Sequence, residues 1–170
     1  LAEVRLARGD RAEAQRLLDR ALPLARWSVI GMHLLQRIYG TMIAAAPDPW
    51  AARAVVDRAD DTMGETDECP FCAVMLEVPA TIACADVDDV EGARRHLARA
   101  EASAARWDGS AWGAAVLEAR AHLARAEGRH GEFSAMIAEA ERVFAASGQP
   151  LDAERCRQAG LAMRAAVVQA

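Results

Sequence analysis

The chain has 170 residues, 53% of them hydrophobic and 5% aromatic, with 20 basic against 25 acidic residues for a net charge of −5. The charges are interleaved, so no basic stripe offers the counterion-release footprint that nucleic acid requires. No apolar run reaches the roughly 18 residues of a membrane span, and alanine, at roughly a quarter of the chain, tilts the composition to helix.

Gly, Pro and Asp divide the chain into eight or nine helical stretches. The first runs to about Arg8 and stops at Gly9. The second, residues 11–22, carries Ala14, Leu17, Leu18, Ala21 and Leu22 on one face, and Pro23 is expected to end it. The third, residues 26–46, is long and apolar from Trp27 through Ile43 and stops before Pro47. Pro49 then opens the fourth, in a first turn whose backbone N–H groups have no helical partner. Residues 61–68 read as an acidic loop. The fifth stretch starts near Pro70, and Pro79 inside it is expected to kink or break it, since proline removes a hydrogen bond and clashes with the preceding turn. The sixth (89–107), seventh (111–127) and eighth (131–146) follow, and Ser147-Gly148-Gln149-Pro150 separates them from a terminal helix over 150–168.

Four segments of this series align on one another. They begin at Gly9-Asp10, Pro47-Asp48, Asp88-Asp89 and Gly128-Arg129, and each is followed by the same helix: Leu18 then Ala21, Val56 then Ala59, Leu97 then Ala100, Ile137 then Ala140. The last alanine recurs at 21, 59, 100 and 140, in steps of 38, 41 and 40 residues. Such a period marks a stacked repeat array, in which each unit buries its apolar face against its neighbours. The units predicted are 1–22, 26–61, 69–107 and 111–147, within one domain over 1–170.

The pattern Tyr39-Gly40, Gly9…Ala14…Leu18…Ala21 and Leu117…Ala121…Ala124…Gly128 resembles the tetratricopeptide repeat. Departures are the longer units, Phe133 at a small-residue position, and Asp88 and Pro47 in place of the turn glycine. The resemblance implies an all-α, right-handed solenoid of antiparallel helix pairs. The segments 124–130 and 144–156 further resemble the helical-repeat regions of large actinobacterial LuxR-type and antibiotic-regulatory transcriptional regulators. There such repeats lie beside an NTPase and a DNA-binding domain and sense a partner or small molecule. Neither neighbour is in this chain, which has no lysine for a phosphate-binding Gly-Lys motif. Leu1-Ala2-Glu3-Val4-Arg5 has no initiator Met and no signal-peptide core, and the chain opens inside a helix, so a fragment of a longer protein is expected. Four cysteines at scattered spacing suggest a reducing cytoplasm.

Cys69-Pro70-Phe71-Cys72 is the one motif-like cluster. Two thiols on one turn can share a metal or act as a redox pair. The sequence shows no second ligand pair, and Cys84 is poorly placed to join, so small thiols packing at a helix start is the plainer reading. His33, His96, His122 and His130 fall in different units; His96, after Arg94 and Arg95, is expected on a solvated face. Trp27, Trp50, Trp107 and Trp112 are expected to cap the packing between units, or to edge a partner groove.

The reading that results is a non-catalytic recognition or regulatory module without cofactor, binding a protein or peptide, another domain of the same protein, or a small effector. In the repeat family's register the first helix of each pair lines the concave face. That places Arg37 and Thr41, Val78 and Ile82, and Glu118, His122 and Arg125 there as partner-binding residues, the last three on one exposed stripe suited to a polar partner. Direct nucleic-acid or membrane binding is not expected. The alternatives are a metal- or thiol-dependent sensor on Cys69 and Cys72, and an oligomerisation scaffold, in its simplest form a homodimer.

Overall fold

A computed structural model describes residues 1–64, 69–107 and 110–169, with side chains through 166. The described residues form helices and connecting turns only: α1 (Ala2–Ala7), α2 (Arg11–Arg26), α3 (Gly31–Ala44), α4 (Pro49–Met63), α5 (Val74–Ala85), α6 (Val90–Ala104), α7 (Trp112–Ala126), α8 (His130–Ala146) and α9 (Pro150–Gln169). No described helix is long and apolar enough to cross a membrane.

The turns after α1, α5, α7 and α8 share one backbone solution. Gly9, Asp88, Gly128 and Gly148 take φ of 79°, 60°, 77° and 71°. The next residue's N–H reaches back five positions: Asp10 to Arg5, Asp89 to Cys84, Arg129 to Ala124 and Gln149 to Phe144, at 2.8–2.9 Å. This is the Schellman closure, which satisfies carbonyls that a helix end leaves free. The next helix then starts at once, with Asp10 and Asp89 capping the backbone N–H groups of Glu13 and Gly92. The turn before α4 differs: Asp48 is extended and caps Ala51 at 2.8 Å.

Several boundaries depart from the sequence expectation. Pro23 does not end α2, which continues to Arg26; in the last turn its missing N–H removes a single bond. α3 starts at Gly31, because residues 27–30 turn and Ser28 Oγ accepts the Ile30 N–H. α4 extends to Met63, into the expected loop, and residues 65–68 of that loop lie outside the described residues. α5 begins at Val74, after a turn in which the Cys69 carbonyl accepts from both Cys72 and Ala73. Pro79 lies inside α5 without ending it. Its absent N–H frees the Met75 carbonyl four residues earlier, and a Cβ placed on Gly40 of α3 would sit 2.0 Å from that oxygen. Glycine is therefore required where α3 meets α5.

Each helix packs against its neighbours in the chain, and α5 also packs against α3 and α7. The start of α5 meets the end of α6 where Val74 N–H donates to Ser103 Oγ, so these two run antiparallel. The end of α5 meets the end of α7 where Asp86 bonds His122 and Arg125, so those two run side by side in the same direction. One cluster of buried side chains runs from Leu18 to Cys156. All but one of the aligned residues lie in it: Leu18, Val56, Leu97 and Ile137 are buried, as are Ala59, Ala100 and Ala140, whereas Ala21 is half-buried.

Ala100 is fully buried, whereas Ala98 is exposed. Ala100→Leu is expected to cost about 1–3 kcal/mol in denaturant unfolding by overpacking a helix contact, and Ala98→Leu to be nearly silent. Asp88 is the one described non-glycine residue at positive φ. Asp88→Gly is expected to raise stability by about 0.5–1 kcal/mol and Asp88→Val to lower it, both read from the same unfolding curves.

Candidate functional site

The helices α3, α5 and α7 set one wall of a groove of about 980 Å³, completed by α1 and by residues of α8 and α9. The spacing i, i+4 puts Arg37 and Thr41 on one side of α3, and i, i+4 puts Val78 and Ile82 on one side of α5; all four line the groove. Leu6, Ile43, Met75, Trp112 and Phe144 add apolar surface. Val78 is 7% exposed and Ile82 half-buried, so the groove floor is α5.

The charged groups of the groove are already engaged. Arg37 donates to both carboxylate oxygens of Glu3, at 2.9 and 2.6 Å, which ties α1 to α3. The guanidinium hydrogen bonds hold the Glu3 carboxyl below its usual range. At the other end Asp86 accepts from His122 Nδ1 at 2.9 Å and from Arg125 at 2.7 Å. Glu118 is 1% exposed and meets Arg155 of α9 through two bonds of 2.7 and 2.6 Å.

The expected exposed stripe of Glu118, His122 and Arg125 therefore does not exist as such. Glu118 is buried and paired with Arg155 of α9, and the other two are half-buried and paired with Asp86. Sequence spacing correctly puts the three on one side of α7, but α9 covers part of that side.

A second cluster lies at the starting end of α3 and α5. One donor atom each from His33, Cys69 and Cys72 lies within 4.8 Å of the others, and His33 Nδ1 is 3.3 Å from Cys72 Sγ. His33 is exposed and the two thiols are half-buried. Burial raises both thiols, but for Cys69 the hydrogen bonds from Cys72 and from the Phe71 and Cys72 backbone outweigh it and bring the group below its usual range. Cys72 is pushed up, by burial and then by Cys69 beside it. Cys84 and Cys156 are buried thiols pushed up to about 12, which leaves them inert packing groups.

His33 had no sequence signal of its own. It stands 39 residues before Cys72, and separations of similar size recur in the polar contacts. Glu3 and Arg37 are 34 residues apart, Arg53 and Asp89 36, Asp86 and His122 36, Asp86 and Arg125 39, Glu118 and Arg155 37. Most of these separations fall a few residues short of the 38–41-residue period, so adding one period to a polar residue locates its partner only to within about one or two helical turns.

Two other expectations are corrected. His96 is not solvated: it is fully buried, with Nδ1 2.7 Å from the buried Glu77 carboxylate, because helix α6 turns that side to α5. Trp27 and Trp50 do not cap packing between units, being 88% and 71% exposed, whereas Trp107 donates to the Phe71 carbonyl at 2.7 Å and Trp112 lines the groove. No protein-family model, curated protein or solved structure matches the chain.

Because Glu118 is buried and paired, Glu118→Ala is expected to destabilise by about 1.5–3 kcal/mol, removing the two-point pair and leaving the Arg155 guanidinium only Asp152 as a charged acceptor. Arg37→Ala breaks an exposed pair and is expected to cost less than about 1 kcal/mol. Thermal unfolding of the two variants side by side checks the order.

Proposed function

We propose that the chain is a recognition module built as a tetratricopeptide-like solenoid of helix pairs, whose groove takes a protein or peptide segment. The observation that carries this reading is the groove of about 980 Å³ lined by Arg37, Thr41, Val78 and Ile82. Polar contacts at separations close to the repeat step, together with α5 packing against both α3 and α7, support the stacking of like units. Side chains on the first helices of successive pairs then share one inner surface.

The chemistry of the lining narrows the occupant. Its arginines are paired within the fold, and its open surface is largely aliphatic and aromatic. The fitting partner presents an apolar ridge with polar flanks, such as an amphipathic helix from a partner protein or from another domain of the same protein. A small effector with an apolar body is accommodated by the same volume. The module is read as non-catalytic and cytoplasmic, with a place in a bacterial transcriptional regulator as its proposed setting.

A photo-crosslinking residue at Thr41, in the groove, and at Ala98, exposed on α6, tests this in native-host cells. A discrete adduct at position 41 that Ile82→Arg abolishes, with none at position 98, is the expected result. Equal labelling at both positions, or an adduct indifferent to Ile82→Arg, removes the groove as the binding surface.

A further inference from the structure

The His33, Cys69 and Cys72 cluster is built from two segments that the rest of the fold holds in place. His33 lies in the first turn of α3. Cys69 and Cys72 flank a turn whose bonds come from several sides. Gln36 Nε2 donates to the Cys69 carbonyl at 3.4 Å, and the same carbonyl accepts from Cys72 and Ala73 at 3.0 Å. From α6, Ser103 accepts the Val74 N–H at 3.0 Å, and just beyond it the Trp107 indole donates to the Phe71 carbonyl at 2.7 Å. Trp107 also meets Phe71 edge-on at 6.1 Å, and Pro70 fixes one backbone angle within the turn. The thiols are thus presented by a clamped turn.

The donor spacing fits a small ion. Tetrahedral zinc with about 2.3 Å to sulfur and about 2.0 Å to nitrogen sets its ligands about 3.5–3.8 Å apart. The observed nitrogen–sulfur separation is 3.3 Å and no pair among the three exceeds 4.8 Å, so small side-chain rotations close the set. Two sulfurs and one imidazole are soft to borderline donors, which select zinc-class and cuprous ions over magnesium or calcium.

We propose that His33, Cys69 and Cys72 bind one zinc-class divalent ion and supply three of its ligands from among the described residues. Binding replaces the two thiol protons, which pass to solvent, and leaves two thiolates and a neutral imidazole on the ion. The ion joins α3 to the turn that opens α5, linking His33 to Cys72 across 39 residues of chain. The site is argued from its own donors and stands whether or not the groove takes a partner.

The test uses the whole chain without a histidine tag, reduced and stripped with chelator. Cobalt(II) is titrated as a spectroscopic probe and then displaced by zinc. The expected result is one equivalent bound, with a thiolate-to-cobalt charge-transfer band and the visible spectrum of a tetrahedral ion. Cys72→Ser is expected to lose the charge-transfer intensity from that sulfur, and His33→Ala, an exposed change that leaves the core intact, to weaken binding at least about tenfold. Zinc should raise the melting temperature of the unaltered chain and not that of Cys72→Ser. His130→Ala, exposed and remote, should bind as the unaltered chain does. Binding without a sulfur band, equal affinity in His33→Ala, or no uptake by protein with both thiols shown to be free overturns the proposal.

Discussion

The close approach of α3 and α5 fixes both candidate sites. Glycine and proline are each unfavourable inside a helix, by about 1 and 3 kcal/mol. Here they act together. Pro79 leaves the Met75 carbonyl without its helical donor, and Gly40 leaves a space beside that oxygen which any Cβ would fill to within 2.0 Å. The two backbones can therefore pack without intervening side chains. Arg37 and Thr41 stand three residues before and one after Gly40; Val78 and Ile82 stand three and seven residues after Met75. The contact thus sets the groove's width at its floor. At the starting ends of the same two helices it brings His33 to Cys72, at 3.3 Å.

A second constraint is the registry between units. Apolar faces alone are non-directional and tolerate sliding. Polar pairs between helices do not: Arg53 meets Asp89, Arg94 meets Glu127, Glu118 meets Arg155. The exposed ones contribute little stability, because two long side chains are held in place for a screened attraction. Glu118 is different, being 1% exposed and committed to one partner, so a slipped neighbour would leave a buried carboxylate unpaired. The Glu77 and His96 pair does the same between α5 and α6.

The sequence was most informative where structure is local. Leu18, Val56, Leu97 and Ile137 are buried because the 3.6-residue period and the aligned turns mark the same helix side in each unit. The left-handed positions at Gly9, Gly128 and Gly148 follow from glycine before a new helix, and Asp88 takes the same place because short polar side chains tolerate it. Proline misled at Pro23, which falls in a last turn, and Pro79 does not break α5, where Gly40, 39 residues away in the chain, meets the carbonyl it frees. The candidate sites were legible in part. Arg37, Thr41, Val78 and Ile82 face one groove because helix register follows from spacing. The burial of Glu118 and the company of His33 were not legible, because they depend on which side chains meet across a unit boundary.

The pairing of the groove's charges also bears on what the groove can select. An acidic partner reaching Arg37 must displace Glu3, which already holds the guanidinium at two points. Displacement exchanges one bidentate pair for another and leaves Glu3 to be resolvated, so it gives little net attraction. Arg125 is in the same position with Asp86, and Arg155 with Glu118, where the carboxylate would be stranded in the core. Charge on a partner can therefore steer and orient it at the rim, but it cannot supply most of the binding free energy. That must come from apolar area covered on Leu6, Met75, Ile82 and Trp112, half-buried lining residues whose own side chains carry no charge to neutralise. Under the proposed recognition role, the groove discriminates by the shape of an apolar ridge, with its ion pairs serving first to hold neighbouring helices in register.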